Sequence, residues 1–502
     1  MLTHRGLIPA VLAGNALGLL AFRHFVSLDG PMHLLHAAVL RDALAGKVRT
    51  AEGMWVVANT LDVNLGDLLL IGLSGMVHPF LLHKLLAVLS VTVVAVGAWR
   101  LARAYGTGIN PLWLLVLPFA FGFVLVLGFF HFILASGLAF MICGWWVSRP
   151  SVRWHGLLLL AGGCALGTFA HTAGGALVLL FVGVHEAVER IRDPAGWRDR
   201  WSTVPQWLPT VVATIAVVLV SAMLVMRFSA SPVHAHEAHH PWEELLTLRP
   251  TLLLDRAGEL PFRIALGSAL VGGMILALWG RRGTARLMPG DALLVSAVLL
   301  LLASLVRTPK TELLYITDRA QWLALLLMAC WMGTQPSARG MGWAVACGVL
   351  SLHALRLVQL ERRMHLLQDR DTSSLSAAQR FEAGALVVPV VLDTDWLARH
   401  RTAYAALGHN GIVFTGRDHL RFDWTTPPDI YVRKYIYSPE NDWAWIGDHI
   451  RKGGLPELRQ VMVLGAPSSG SAAWPELEQT LRERYHPVWH DDYTQVWTLD
   501  TE

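Results

Sequence analysis

Residues 27–36, Ser-Leu-Asp-Gly-Pro-Met-His-Leu-Leu-His, place one carboxylic acid and two histidines just beyond the first long apolar run of the chain. An acid so placed can accept a proton from a hydroxyl, and a protonated histidine can meet a phosphate. Asp29-Gly30-Pro31 reads as a helix start. Asp29 or Gly30 can cap, and Pro31 suits the first helical position because its missing N–H would have no helical partner. The helix is expected to stop at Gly46. Along it His33 lies four residues after Asp29 and His36 three further on, so all three lean toward one side of the helix entrance. The pattern points to Asp29 as a catalytic carboxylate at the outer membrane surface. The plainer reading makes Asp29 a cap and the histidines interfacial side chains.

Further candidates follow along the chain. Residues 59–67, Asn-Thr-Leu-Asp-Val-Asn-Leu-Gly-Asp, add Asp62 and Asp67 and open a second short surface helix capped near Asn64 and reaching Leu73. Capping explains each acid singly, but not the gathering of Asp29, Glu52, Asp62 and Asp67 in one loop. His78, His131 and His171 fall at the expected outer ends of spans. Ionisable groups at that depth are costly and tend to line cavities, although a lone histidine on an apolar face is usually a satisfied core residue. Asp318-Arg319 begins another span as a possible anion contact or as a local ion pair. In residues 234–240, His-Ala-His-Glu-Ala-His-His, a helix would bring His236 and His240 to one face, where a divalent metal such as zinc could bind. The spacing is not HExxH, and a mobile loop of this composition is the alternative.

These residues must be carried by membrane spans. The chain has 502 residues, 54% hydrophobic and 16% charged, with a mean hydropathy of +0.45, which excludes an ordinary soluble enzyme. The net charge of +4 comes from scattered arginines rather than a basic tract, so nucleic acid is not an expected partner. The four cysteines lie in apolar segments and support neither a disulfide framework nor a CxxC metal site. The amino-terminal run reads as a retained first span rather than a cleaved signal. Candidate spans are 6–26, 78–99, 111–127, 129–147, 155–169, 172–187, 207–227, 263–280, 290–306, 318–335 and 341–358, about eleven in all. Arginines in the short loops set the amino terminus on the cytoplasmic side. That assignment requires 154–188 to break into two short helices, and the glycines and His171 of 167–175 offer the break.

From Glu361 onward the composition changes. Charged residues rise, and strand-like runs appear at 385–392, 411–415, 429–433 and 460–465, followed by a helix near 474–485 and a strand at 494–499. The expected organisation is an α-helical polytopic membrane domain over 1–360 with a small extracytoplasmic α/β domain over 361–502.

With its parts in this order, the chain resembles the type C superfamily of membrane glycosyltransferases, which use polyprenyl-phosphate-linked sugars. The resemblance rests on Asp29 just after the first span, the two surface helices of that loop, the many irregular spans and the carboxy-terminal domain. It also looks like bacterial membrane proteins sharing the Asp-Gly-Pro-x-His segment, a phenylalanine-rich fourth span (Phe129-Phe130-His131-Phe132) and an Asp-Arg span start. The commoner acidic pair of the superfamily's first loop is replaced here by Asp29-Gly30. The resemblance implies a bacterial plasma-membrane enzyme that moves a sugar from a polyprenyl-phosphate carrier to a glycan, lipid or protein acceptor. Asp29 and His33 would be catalytic, and His36, Asp62, Asp67, His78, His131, His171, Lys310 and Arg319 would bind substrate. Lys310, Arg319 or protonated His33 would meet the departing phosphate, and no cofactor is required beyond a possible divalent metal. The competing class is a non-catalytic transporter, or a scaffold whose tail binds a partner.

Overall fold

The computed structural model describes residues 4–21, 25–45, 54–56, 64–106, 110–202, 204, 241–254, 258–282, 286–305, 315–336, 339–382, 386–393, 395–407, 412–413, 422–424, 459–465 and 474–500. These divide into two compact units. One comprises Met1–Ala21, Asn64–Gly66 and Leu86–Glu361; the other comprises Phe22–Val63, Asp67–Leu85 and Arg362–Glu502. The expected span 207–227 and the strand 429–433 lie outside the described residues.

The first unit is helical. Among the described residues five helices are long and apolar enough to cross a membrane: Pro79–Tyr105, Phe130–Val147, Thr172–Arg192, Leu260–Gly280 and Gly340–Ala378. The chain is an integral membrane protein. The break expected in 154–188 is present. Trp154–Ala170 and Thr172–Arg192 are separate helices joined at His171, whose backbone is extended and whose ring accepts the Ala173 N–H at 3.1 Å. Their backbones approach closely beside the turn, where a Cβ on Gly174 would fall 2.2 Å from the Gly167 carbonyl oxygen. Outward, Leu158, Leu159, Leu166 and Phe169 of the first of these helices are exposed, as a lipid-facing side requires.

One expectation is corrected. The run 111–127 is not a single span but a 3₁₀ turn, Pro111–Leu115, and two short helices, Val116–Ala120 and Phe123–Val126. Asn110 caps the first piece by accepting the Leu112 N–H at 3.1 Å. Between the helices Gly122 is extended and leaves no room for a side chain, since a Cβ there would sit 2.3 Å from the Pro250 carbonyl oxygen. The segment is wholly buried, so protein rather than lipid surrounds its broken backbone.

The second unit is α/β. Its five-stranded sheet has the order β3-β2-β5-β7-β6, with β2 (Leu386–Val391) parallel to β3 (Ile412–Val413) and to β5 (Gln460–Leu464), and β7 (Thr494–Leu499) antiparallel to β5 and to β6 (Tyr485–His490). Every residue of β5 is buried, as a central strand covered on both faces should be. Part of the cover comes from far back in the sequence. The helix Gly30–Leu44 contributes Met32 and Leu35 to a cluster with Ala377, Val387, Ala403, Met462 and Val496. In addition β1 (Met54–Val56) pairs antiparallel with β4 (Phe422–Trp424). The first loop is therefore built into the core of the carboxy-terminal α/β unit.

The β6–β7 turn gives this unit an acid-sensitive joint. Asp491 Oδ1 accepts the Tyr493 N–H at 2.9 Å and the Thr494 N–H at 2.7 Å, and the Ser373 hydroxyl lies 2.8 Å from each carboxylate oxygen. Partial burial pushes this carboxyl up, but hydrogen bonds from Thr494, Tyr493, Ser373 and Trp489 outweigh it and hold it below the ordinary carboxylate range. A depressed acid contributes stability that is present above its unfolded pKa and lost as pH falls through the lower folded one. Asp491→Asn is therefore expected to flatten the acid limb of unfolding below about pH 4, read by tryptophan fluorescence from pH 5 downward. An unchanged acid midpoint would contradict this assignment.

Candidate functional site

Candidate residues gather in both units. In the α/β unit, the helix Gly30–Leu44 follows Asp29 directly, and the Asp29 carbonyl accepts the His33 N–H at 3.1 Å. The Asp29 side chain is buried at the amino-terminal end of this helix, with a relative exposure of 2%. Unfavourable desolvation of a carboxylate is partly offset there by the positive helix end. His36, about two turns further on, is also buried, whereas His33 is half-buried. The second surface helix forms as Leu65–Leu73 with Asp67 in its first turn. It brings a carboxylate oxygen of Asp67 within 4.8 Å of a ring nitrogen of His33. The two form an acid–imidazole pair. His78 is exposed and lies against the Phe80 ring at 5.4 Å.

In the membrane unit, the helix Phe130–Val147 starts after a tight turn at Gly128, whose φ of 82° favours glycine. This turn presents Phe129 and Phe132 to the helix Ile316–Thr334. The Arg319 guanidinium carbon lies 4.0 Å from the Phe129 ring centroid and 5.2 Å from that of Phe132. His171 meets the Phe132 ring edge-on at 5.5 Å, and Trp322 packs on it at 5.8 Å. A cation is thus shelved on aromatic faces, an arrangement that keeps guanidinium charge at membrane depth while keeping it directional. The neighbouring acid, Asp318, lies 3.3 Å from Arg249 Nε, and Arg249 also bonds Glu244. His131 is buried, its Nδ1 is 3.4 Å from Asn64 Nδ2, and a Cβ on Gly66 would collide with its ring.

The structure therefore brings His33 together with Asp67, and His171 with Arg319 around Phe132. Asp62, Lys310, His236 and His240 lie outside the described residues. Sequence reasoning missed Arg249, which binds both Asp318 and Glu244, and His83, which is 1% exposed in the span beginning at Pro79. His83 carried a signal, an ionisable side chain inside an apolar run. Arg249 carried none, since nothing local marks an arginine as the partner of a distant acid.

No protein-family model matches the sequence, and no curated protein matches it. Among solved structures the chain is similar to the arabinofuranosyltransferase AftD from mycobacteria, with a TM-score of 0.50 and 14% identity over 100% of this chain and 40% of that one. It thus spans well under half of that protein's length. It is also similar to ArnT from Cupriavidus metallidurans bound to undecaprenyl phosphate, with a TM-score of 0.49 and 13% identity over 98% of this chain and 97% of that one. The polytopic helical membrane fold with a small α/β tail, expected from the sequence, is the fold the chain has, and it is shared with AftD.

Proposed function

We propose that the protein is an integral-membrane glycosyltransferase that moves a hexosyl or pentosyl group from a polyprenyl-phosphate carrier to an acceptor hydroxyl at the outer face of the plasma membrane. The amino terminus is then cytoplasmic and the tail outside. One observation carries the reading: in a transferase fold, the acid of the loop after the first helix is buried at a helix entrance instead of solvated. Asp29 takes the proton of the acceptor hydroxyl as that oxygen attacks the anomeric carbon. The bond from the anomeric carbon to the phosphate oxygen breaks, and the polyprenyl phosphate leaves with the electron pair. A carrier-linked sugar is already activated, so no nucleotide-binding loop is needed.

His33, held near Asp67, supplies positive charge for the phosphate. His36, on the same helix, orients the sugar. His33→Gln is expected to raise the KM for the carrier-linked sugar about tenfold or more, the worth of one charge-assisted hydrogen bond, with a smaller change in kcat. Loss of kcat alone would move His33 from ground-state binding to the transition state. The proposal itself is tested by incubating the full chain in lipid vesicles with synthetic polyprenyl-phosphate pentoses and hexoses and following release of polyprenyl phosphate, with Asp29→Asn in parallel. Release that is identical for both proteins overturns it.

A further inference from the structure

The first loop, the start of the helix Pro79–Tyr105 and the tail share a run of buried hydrogen bonds that the proposed chemistry has not used. The Gly30 N–H donates to Ser27 Oγ at 3.2 Å. Ser27 Oγ lies 3.0 Å from His83 Nε2, and His83 Nδ1 bonds the Tyr404 hydroxyl. That hydroxyl in turn donates to the Phe25 carbonyl at 3.2 Å. Ser27, His83 and Tyr404 are each 1% exposed.

With His83 neutral, a single proton arrangement satisfies every link. Tyr404 has one hydrogen, given to the Phe25 carbonyl, so its oxygen must accept from His83 Nδ1–H. In a neutral imidazole Nε2 is then an acceptor, and the Ser27 hydroxyl donates to it, which leaves Ser27 Oγ able to accept from the Gly30 amide. Burial pushes the Tyr404 hydroxyl well above its ordinary pKa, so it keeps its proton. The links start and finish on residues 25 and 30, which bracket Asp29 on both sides. Packing holds the parts in place: Phe25 meets the His83 ring edge-on at 5.5 Å, and Phe80 lies 4.9 Å from the Tyr404 ring. No spare volume exists, because a Cβ on Gly30 would fall 2.1 Å from His83 Nε2 and 2.2 Å from Ser27 Oγ.

We infer that Ser27, His83 and Tyr404 are positioning residues that clamp the 25–30 turn and so fix the orientation of the Asp29 carboxylate, Tyr404 doing this from the carboxy-terminal domain. The inference rests on the transferase reading, because only for that reaction does the orientation matter. A misplacement of about 1 Å at a reacting group costs up to about 100-fold in rate, whereas a mere structural tie would alter stability and leave turnover per folded molecule unchanged.

The test compares the full-length wild type with Tyr404→Phe, Ser27→Ala and their double variant, all in lipid vesicles. Tyr404→Phe keeps the ring and its packing and removes only the hydroxyl. Amide exchange in the peptide covering residues 25–35 is expected to quicken about tenfold or more in each single variant, with exchange in the sheet unchanged. In the polyprenyl-phosphate sugar assay kcat should fall about 10- to 100-fold at unchanged KM. The double variant should behave as either single one, since both cut the same run of bonds. Unchanged exchange, or additive losses in the double variant, overturns the clamp. Normal kcat in Tyr404→Phe beside an inert Asp29→Asn also overturns it while leaving the transferase reading intact. An active Asp29→Asn instead removes the transferase reading, and with it the clamp's catalytic purpose, whatever the exchange result.

Discussion

Asp29→Asn is expected to lower sugar transfer from a polyprenyl-phosphate carrier by about 100- to 10,000-fold, the contribution of a positioned general base, with the thermal unfolding temperature within a degree or two of wild type. Asparagine has nearly the same shape and keeps an oxygen that can accept hydrogen bonds, so contacts made by the side chain's outline survive. The proton-accepting oxygen does not. Because the residue is buried at a helix start, removing its charge also removes a desolvation cost, and folding should not suffer. The loss should fall on kcat and kcat/KM alike, which marks an interaction made in the transition state. Turnover within threefold of wild type would remove Asp29 from the chemistry.

The second large effect is structural. Arg356 is buried in the last membrane helix, where its Nε and Nη2 donate to Glu259 at 3.1 and 2.8 Å and its Nη1 donates to the Phe121 carbonyl at 3.0 Å. Its Nη2 also bonds the Thr251 carbonyl. Glu259 further accepts the Leu253 and Leu254 amides at 3.0 and 2.7 Å. One guanidinium thus ties a helix, the broken 111–127 segment and the turn after Arg249. Arg356→Ala leaves Glu259 without its countercharge and uncovers two carbonyls, at a cost of about 3–5 kcal/mol. The expected result is a large fall in detergent-solubilised folded yield and melting temperature. The double change Glu259→Gln with Arg356→Met should recover part of it, because it removes the stranded charge. Wild-type melting of Arg356→Ala would show that the tie is incidental.

What could be read from the sequence was carried by local signals. The helix at Asp29-Gly30-Pro31, the break at His171 and the turn at Gly128 each announce themselves through a residue whose backbone needs are narrow. The strand near 485–490 was hidden for the same reason in reverse: Pro487 weakens the pattern, and the ladder does shift its register between Pro487 and Trp489. In 111–127 apolar length outweighed the warnings of Pro118 and Gly122. Pairings between remote residues were illegible in kind. The adjacency of Asp318 and Arg319 suggested a pair, yet Asp318 goes to Arg249. Likewise Tyr404 and His83 lie 321 residues apart, and nothing in either neighbourhood names the other.

The helix Trp154–Ala170 ends at both sides on polar residues, Arg153 and His171, after 17 residues. At 1.5 Å per residue it is about 26 Å long, several ångströms less than a bilayer's hydrocarbon thickness of roughly 30 Å. It has no length to spare for tilting. The surrounding leaflets must therefore dip to meet it or wet its ends, a hydrophobic mismatch costing a fraction of a kcal/mol per ångström.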